Sequence, residues 1–360
     1  MDVQTIVQYA VIIIQGLIIA TVLMLGFGGL TVVERKLVGR FTLRYGPNRV
    51  GKYGSLQILA DMLKMFFKEE VIPGHVDRVV YLMAPALSLV PALIAFAVVP
   101  IANEPIVLPF QIFGATVTIN PWISNINVGI LYLLAVGSLG TYGVILGGWS
   151  SNNKYSLLGG LRTSAQMLSY ELPMGVALLS VILFAGTLNL NEMVRQQDCF
   201  FGVGCSLGWG WFIFAPTLTL SFIIFFISAL AEAGRAPFDL PETENELIGG
   251  FATEYGAMKF GLFFGAEYVH MIIISCIVTT IFLGGWQGPL AMQFPILQPI
   301  YFLLKVAVMI FMFIWIRASI PRVRFDKMMR FCWKFLLPLG MVNLAVTALI
   351  VAFIKFGSPF

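Results

Sequence analysis

Eight apolar segments, each long enough to cross a bilayer, constrain this 360-residue chain more than any other feature. A helix needs about 20 residues to cross the hydrocarbon layer. Gly and Pro occur inside the segments, as membrane helices tolerate, and the alternation typical of barrel strands is missing. Only 11% of the residues are charged. We therefore predict an all-α polytopic membrane protein with spans near Ile6–Val33, Val79–Ile101, Val128–Trp149, Pro173–Leu190, Trp211–Ala231, Ala257–Leu283, Pro299–Ile316 and Phe335–Phe356.

Basic residues are concentrated on one side of this predicted arrangement. Of 22 Lys and Arg residues, 19 fall in connections on that side, against Arg195 and Lys355 on the other. Cytoplasmic loops carry such an excess, so we expect both termini on the outer side. The prediction is one membrane domain over residues 1–360, with a first cytoplasmic connection at 34–78 and an acidic cytoplasmic loop at 232–258. Within the first connection, Ser55–Lys68 has apolar residues at helical spacing and a narrow polar stripe. We expect an amphipathic helix there that lies in the membrane interface.

Several cofactor chemistries lack their ligands in the sequence. The four cysteines form no CxxC pair and fall on different sides of the predicted membrane, which argues against an iron–sulfur cluster or another metal site. Two histidines, one in a loop, do not make a bis-His haem site. No P-loop or dinucleotide-binding turn occurs, and nucleic acid is not an expected partner. Cys199 and Cys205 share an outward connection, where a disulfide and two free thiols are equally expected.

Carboxylates are the most unusual polar feature. Six of them and a single Arg235 lie between Glu232 and Met258, which locally reverses the basic bias. Crowded carboxylates at a membrane boundary repel one another and exchange protons as a coupled set, although a solvated acidic loop explains the composition equally well. Glu171 and Glu267 lie in or beside predicted spans, where ionisable groups are costly and a functional or paired role is the default. His270, one turn from Glu267, is its expected partner. For Lys305, close to the outer boundary, extension to the headgroups and a functional or paired role inside the span are equally expected.

Two long motifs identify a family. The runs ERKLVGR at 34–40, RYGPNRVG at 44–51 and LQILADMLK at 56–64 closely resemble the first signature of the NADH dehydrogenase subunit 1 family. RAPFDLPETENEL at 235–247, with Gly250-Phe251, Glu254-Tyr255 and Ala266-Glu267-Tyr268, resembles its second. Ser169-Tyr170-Glu171 and Trp315-Ile316-Arg317 extend the resemblance over nearly the whole chain. Without it, the basic run would be interpreted as a topology determinant, although its turn-forming glycines favour docking to a protein surface.

The resemblance implies the quinone-site membrane subunit of a proton-pumping NADH:quinone oxidoreductase, respiratory complex I. By position in the motifs, Glu34, Arg35, Arg44, Asp61, Lys64, Arg235 and Phe251 are expected to line the quinone chamber. The residues expected to couple quinone chemistry to proton movement are Glu171, Glu232, Asp239, Glu242, Glu244, Glu246, Glu254 and Glu267. No residue is expected to be a redox group.

The same resemblance implies the surroundings of the chain. Quinone is the expected substrate, while NADH, FMN and iron–sulfur clusters belong to partner subunits. The expected partners are peripheral-arm subunits at the quinone site, antiporter-like and small membrane-arm subunits, and the lipid of a bacterial plasma membrane or mitochondrial inner membrane. Two alternatives are the equivalent subunit of an energy-converting hydrogenase or ferredoxin-dependent complex, and a free-standing cation transporter. A transporter would be expected to carry an internal repeat, which the sequence does not display.

Overall fold

Long helices account for most of the chain. The computed structural model describes residues 3–112, 115–197, 210–239, 249–291 and 293–356, and its long apolar helices confirm the all-α membrane class. A π-helical turn at Cys332–Leu336 joins the last two helices into one rod. In chain order the helices are α1 (Val3–Phe41), α2 (Gln57–Phe67), α3 (Arg78–Ala95), α4 (Gly129–Ser150), α5 (Lys154–Ala185), α6 (Leu190–Gln196), α7 (Pro216–Glu232), α8 (Ala257–Phe282), α9 (Leu297–Ser319), α10 (Phe325–Phe331) and α11 (Leu337–Phe356).

Seven of the helical segments in the described ranges are long and apolar enough to cross a bilayer. The one remaining predicted span, Trp211–Ala231, corresponds to α7, an apolar helix of 17 residues. At 1.5 Å per residue α7 is about 26 Å long, slightly less than a hydrocarbon layer of about 30 Å. The short 3-10 turn Phe212–Phe214 directly precedes it. The count of eight spans stays a prediction.

Three helices extend well beyond their predicted apolar segments. α1 continues past Val33 to Phe41, so the run from Glu34 to Arg40 is helical. α5 begins at Lys154, so Glu171, two residues before Pro173 where the fourth span is predicted to begin, lies near the middle of the helix. The last rod begins at Phe325, ten residues before the predicted limit. Apolar composition marks the part of a helix that lies in hydrocarbon, whereas the helix itself continues as long as its backbone hydrogen bonds do.

The helices pack around α8, which is the most buried of the membrane-length helices, whereas α1 is the least buried. α8 contacts α3 on one side and α9 and α1 on the other. α4 joins α3 to α5, and α5 in turn packs against α7 and α11. The ends of α1, α7 and α9 therefore meet beside α8, and these ends carry the motif residues.

The connection between α3 and α4 contains a β-hairpin that the sequence prediction missed. β1 (Ile106–Ile112) pairs antiparallel with β2 (Ala115–Ile119), with Ile106 opposite Ile119. Its residues are rich in Val, Ile and Thr, as strands prefer, although Pro109 weakened that signal. Gln8 on α1 donates to the Thr118 hydroxyl at 3.2 Å, and Gln15 donates to the Asn120 carbonyl at 2.5 Å. The hairpin thus holds the N-terminal half of α1.

Lys305 on α9 is buried, which favours a paired role over extension to the headgroups. Its Nζ donates to the carbonyls of Leu283, Gly285 and Gln287 at 2.6, 3.0 and 2.6 Å. It also lies 4.4 Å from the centroid of the Trp211 ring. The backbone turns at Gly284 and Gly285, both at positive φ, and this turn aims the three carbonyls at one ammonium group. Lys305 therefore holds the turn that ends α8.

Candidate functional site

A cluster of charged side chains, with buried carboxylates, lies where α1, α7 and α9 end. Glu34, on the last turns of α1, is 5% exposed, and one of its carboxylate oxygens accepts a hydrogen bond from Arg317 near the end of α9. Arg235, just after α7, is equally buried, and its Nη1 lies 3.8 Å from the same oxygen. The Arg235 guanidinium also stacks on the ring of Tyr268 at 3.9 Å from the centroid. Three chain segments distant in sequence thus meet at one carboxylate.

Asp239 extends the cluster toward α5. Its carboxylate is 4% exposed and lies 3.4 Å from the Arg322 Nη2. Burial raises the pKa of Asp239 above its ordinary value, while Arg322, Arg317 and Arg235 oppose that rise. Asp239 is therefore sensitive to any change in the charges around it. We call Glu34, Arg235, Asp239, Arg317 and Arg322 together the charge cluster.

Hydrogen bonds from neighbouring segments fix the backbone that carries Arg235 and Asp239. Gln166 on α5, which is fully buried, donates to the carbonyls of Ala231 and Phe238 at 2.7 and 2.9 Å. The Val323 N–H donates to the Pro237 carbonyl at 3.0 Å. Because these bonds satisfy buried carbonyls, they hold the short segment between α7 and residue 239 in one conformation.

An open groove of about 430 Å³ adjoins the charge cluster. We call it the charged groove, and its lining combines Glu34, Arg35, Arg44 and Arg317 with aromatic rings such as Tyr268. Its outer wall is the loop after α1, which Gly46 allows to pack closely, since a Cβ there would lie 2.8 Å from the Lys36 Cα. The loop exposes Leu43 and Tyr45 almost fully, at 96% and 95%. The groove can accept an aromatic molecule with polar ring substituents.

Four other predicted chamber residues differ in their relation to the charged groove. Asp61 on α2 does not line the groove, but it forms a 2.8 Å ion pair with Arg35, which does. Arg235 reaches the groove through Glu34 and Tyr268. Lys64 is exposed on α2 and does not line the groove. Phe251 lies elsewhere, edge-on to Phe263 at 5.2 Å, in contact with a second cavity.

This second cavity lies among α3, α4, α5, α7 and α8 and measures about 90 Å³. Its walls are mainly apolar, but four of the predicted coupling carboxylates line it: Glu171, Glu232, Asp239 and Glu267. A water molecule requires about 10–15 Å³ of such volume and several polar partners. We call this space the carboxylate cavity. It has both the room and the polar groups to hold water, and Asp239 belongs to it and to the charge cluster.

Glu232, at the end of α7, lies beside His270. The His270 Nε2 is 3.3 Å from the Glu232 Oε1. The sequence prediction named only Glu267, because residues three apart share a helix face. The approach of α7 to α8 adds the contact with Glu232, which local spacing could not predict.

Glu254 lies outside the carboxylate cavity, in a cluster that fastens the 249–256 segment. Its Oε1 accepts from the Asn153 Nδ2 at 2.7 Å, and its carbonyl accepts from the Tyr81 hydroxyl at 2.7 Å. Tyr81 and Tyr255 stack at 4.2 Å. Burial raises the pKa of Tyr255 above its ordinary value, although hydrogen bonds from Ser150 and Ser151 oppose the rise. The geometry therefore gives Glu254 a structural partner. Glu242, Glu244, Glu246, Cys199 and Cys205 lie outside the described residues.

The sequence prediction missed three residues that complete the site. Arg317 was recognised only as part of a motif, and Arg322 was counted only among the basic residues of the predicted cytoplasmic side. Gln166 carried no signal at all. A buried charge requires a partner. A glutamate near a membrane boundary could therefore have suggested an arginine at the end of another span, such as Arg317, as its partner.

Comparisons with known proteins cover nearly the whole chain. The profile of a family described as NADH dehydrogenase matches residues 14–348. A subunit of NADH-quinone oxidoreductase from Geobacter sulfurreducens is 44% identical over 350 residues, which cover 96% of each chain. A subunit of the same enzyme from Koribacter versatilis is 46% identical over 329 residues, covering 89% of this chain and 91% of the relative. NADH-quinone oxidoreductase subunit 8 of Thermus thermophilus is 44% identical over 344 residues, covering 96% and 88%.

Proposed function

The chain belongs to the NADH dehydrogenase family, and from this premise we propose that it forms much of the quinone-binding chamber of a proton-pumping NADH:quinone oxidoreductase and couples quinone reduction to proton translocation. As a membrane subunit of this enzyme class it needs other subunits to oxidise NADH.

One observation carries the proposal, namely that Asp239 belongs to both the charge cluster and the carboxylate cavity. On one side, Asp239 interacts with Arg322, Arg317, Arg235 and Glu34, and Glu34 and Arg317 line the charged groove. On the other side, Asp239 lines the same cavity as Glu171, Glu232 and Glu267. A change of charge in the groove therefore acts on a carboxylate that lines the same cavity as three more.

The chemistry of quinone reduction suits this arrangement. Reduction to the quinol requires two electrons, from a cofactor of another subunit, and two protons. The aromatic and arginine lining of the charged groove would bind the ring and stabilise negative charge on its oxygens. Two unit charges about 4 Å apart interact by about 4 kcal/mol at an effective dielectric constant near 20. That energy is sufficient to shift protons among coupled buried carboxylates, since one pKa unit corresponds to about 1.4 kcal/mol.

Other subunits of the complex would surround this chain in the membrane. Peripheral-arm subunits would cover the exposed loop of residues 41–53, whose Leu43 and Tyr45 side chains are bare in the isolated chain. Antiporter-like and small membrane-arm subunits would continue the proton path from the carboxylate cavity. NADH, FMN and iron–sulfur clusters would belong to partners, and quinone would be the substrate. The three relatives come from bacteria, which favours a bacterial plasma membrane.

Photoaffinity labelling of the intact complex tests the chamber. A quinone analogue with a photoreactive group on its ring should label this chain within residues 34–47 or near Tyr268, because these line the charged groove. Excess unlabelled quinone should abolish the label. The same photoreactive group on a non-quinone ring of equal size is the control. Labelling confined to other helices, or unaffected by quinone, would contradict the assignment.

A further inference from the structure

The backbone of α5 has a gap in its hydrogen bonding directly beside Glu171. Pro173 lies inside the helix and has no N–H, so it cannot donate to the carbonyl four residues earlier, that of Ser169. A buried carbonyl without a donor is costly. The Cys332 thiol, on the facing rod, donates to this carbonyl with an Sγ–O distance of 3.1 Å. A side chain from another helix thus replaces the backbone bond that proline removes.

The facing rod is irregular at the same level. Cys332–Leu336 forms a π-helical turn in which the Leu337 N–H donates to the Cys332 carbonyl, five residues back. Pro338 follows directly, and its missing N–H cannot serve the Lys334 carbonyl. Insertions of this kind often accompany proline and are frequent at functional sites. Two proline-interrupted helices therefore meet at Cys332 and Ser169.

Two further contacts fix this joint. The Trp333 Nε1 donates to the Ser169 hydroxyl at 3.4 Å, and the Tyr170 hydroxyl donates to the Met328 carbonyl at 3.0 Å. Both Tyr170 and Cys332 are completely buried. Ser169 and Tyr170, the two residues that precede Glu171, are thus each held by the facing rod. The position of Glu171 in the carboxylate cavity depends on the turn that these contacts hold.

We propose that Cys332 is a positioning residue for Glu171, and that the contact between its thiol and the Ser169 carbonyl sets where the Glu171 carboxylate lies in the cavity. This inference rests on the proposed coupling role of Glu171. Cys332 contacts neither quinone nor a transferred proton. It acts through the interrupted turn of α5, where the helix lacks its own hydrogen bond and can bend.

Substitutions at Cys332 in the intact complex test the proposal. C332A removes the thiol donor together with its sulfur atom, as C276A does elsewhere, and the pH profile of quinone-linked proton pumping should shift by about half a pH unit, which corresponds to about one hydrogen bond. Turnover should fall about threefold, because a thiol is a weak donor. C332S retains a donor and should restore the wild-type profile. C276A, which removes another buried thiol from α8, is the matched control and should leave the profile unchanged. An unshifted C332A profile, or equal effects of C332A and C332S, would overturn the proposal.

The contact can also be tested without any Cys332 variant. Pro173→Ala restores an N–H that competes for the Ser169 carbonyl. In the infrared difference spectrum of wild type against Pro173→Ala, the buried S–H band should move to higher frequency as its hydrogen bond weakens. Absence of any S–H difference would overturn the proposal even if the Cys332 variants fail to assemble.

A double substitution separates this inference from the proposed function. If Cys332 acts through Glu171, C332A should add no further loss of pumping in the Glu171→Gln background. Additive losses would overturn the positioning role while leaving Glu171 in the coupling path. Normal pumping by Glu171→Gln itself would instead reject the function assigned to Glu171.

Discussion

At the scale of single residues, Glu34 is the point where the charges of the site converge. It is buried between Arg317 and Arg235, and both arginines come from other parts of the chain. Removing one partner of a buried ion pair costs far more than the pair contributes, because the remaining charge stays desolvated. The cluster should therefore be sensitive to the loss of either arginine.

Arg317→Gln tests this sensitivity. We expect quinone-linked turnover to fall by at least about tenfold, because Glu34 loses its nearest cation and its buried charge is less well compensated. NADH oxidation by an artificial acceptor should survive. Arg330→Gln, an exposed substitution in the following segment, is the matched control. Equal turnover of the two variants would show that the Arg317–Glu34 pair is dispensable.

Arg322→Gln tests the electrostatics of Asp239. Burial raises the pKa of Asp239, and Arg322 opposes that rise more strongly than the other nearby cations do. Without Arg322 the carboxylate should protonate at still higher pH. The acid limb of the turnover profile should therefore move to higher pH in Arg322→Gln and remain nearly in place in Arg322→Lys. A shift toward lower pH, or none, would contradict the coupling of these two groups.

The motifs predicted which residues belong to the site better than which residues they contact. Glu34, Arg235 and Asp239 were all named from two signatures, and the structure brings them together. Their partners Arg317 and Arg322 lie about 80 to 280 residues away in sequence, and helix packing decides such contacts. The proximity of Glu232 to His270 was missed for the same reason, since only local spacing can be predicted from sequence.

At the scale of elements, the end of α8 depends on a residue of the next helix. Lys305 supplies three hydrogen bonds to the turn of residues 283–287. We expect Lys305→Met to lower by several degrees the temperature at which this subunit is lost from the complex, because each buried carbonyl without a donor costs about 1–3 kcal/mol. Lys327→Met, at an exposed position, is the control. Equal thermal loss would mean that water replaces the ammonium group at no cost.

Helix lengths show where prediction from composition stops. The apolar segments located every long helix, but not the N-terminal half of α5, which contains Lys154 and Arg162. Apolar composition indicates which residues can lie in hydrocarbon. It does not indicate where a helix ends, because a helix can continue into a polar environment. For α2 the amphipathic pattern predicted the helix within a few residues, and its position in the membrane interface remains a prediction.

At the scale of the whole molecule, the basic asymmetry predicts orientation. Nineteen basic residues on one side against two on the other favour both termini on the outer side. A cysteine introduced at residue 2 or residue 358 should react with an impermeant thiol reagent from the outside only. Labelling of both positions from the cytoplasm alone would show that the predicted orientation is wrong. Labelling of the two ends from opposite sides would mean an odd number of spans.

In the mechanism proposed above, a charge change in the charged groove moves protons among the cavity carboxylates. Glu171→Gln tests it most directly, because glutamine keeps the shape of the side chain and removes its titratable group. We expect an assembled complex that oxidises NADH with an artificial acceptor at the normal rate. Glu104→Gln, an exposed carboxylate substitution, should behave like the wild type.

The decisive measurement is proton pumping during quinone reduction by the Glu171→Gln complex in sealed vesicles. We expect pumping and quinone-linked turnover to fall together by about tenfold or more, because one member of a coupled set of carboxylates is removed. Pumping at the wild-type rate by the assembled variant would contradict this mechanism.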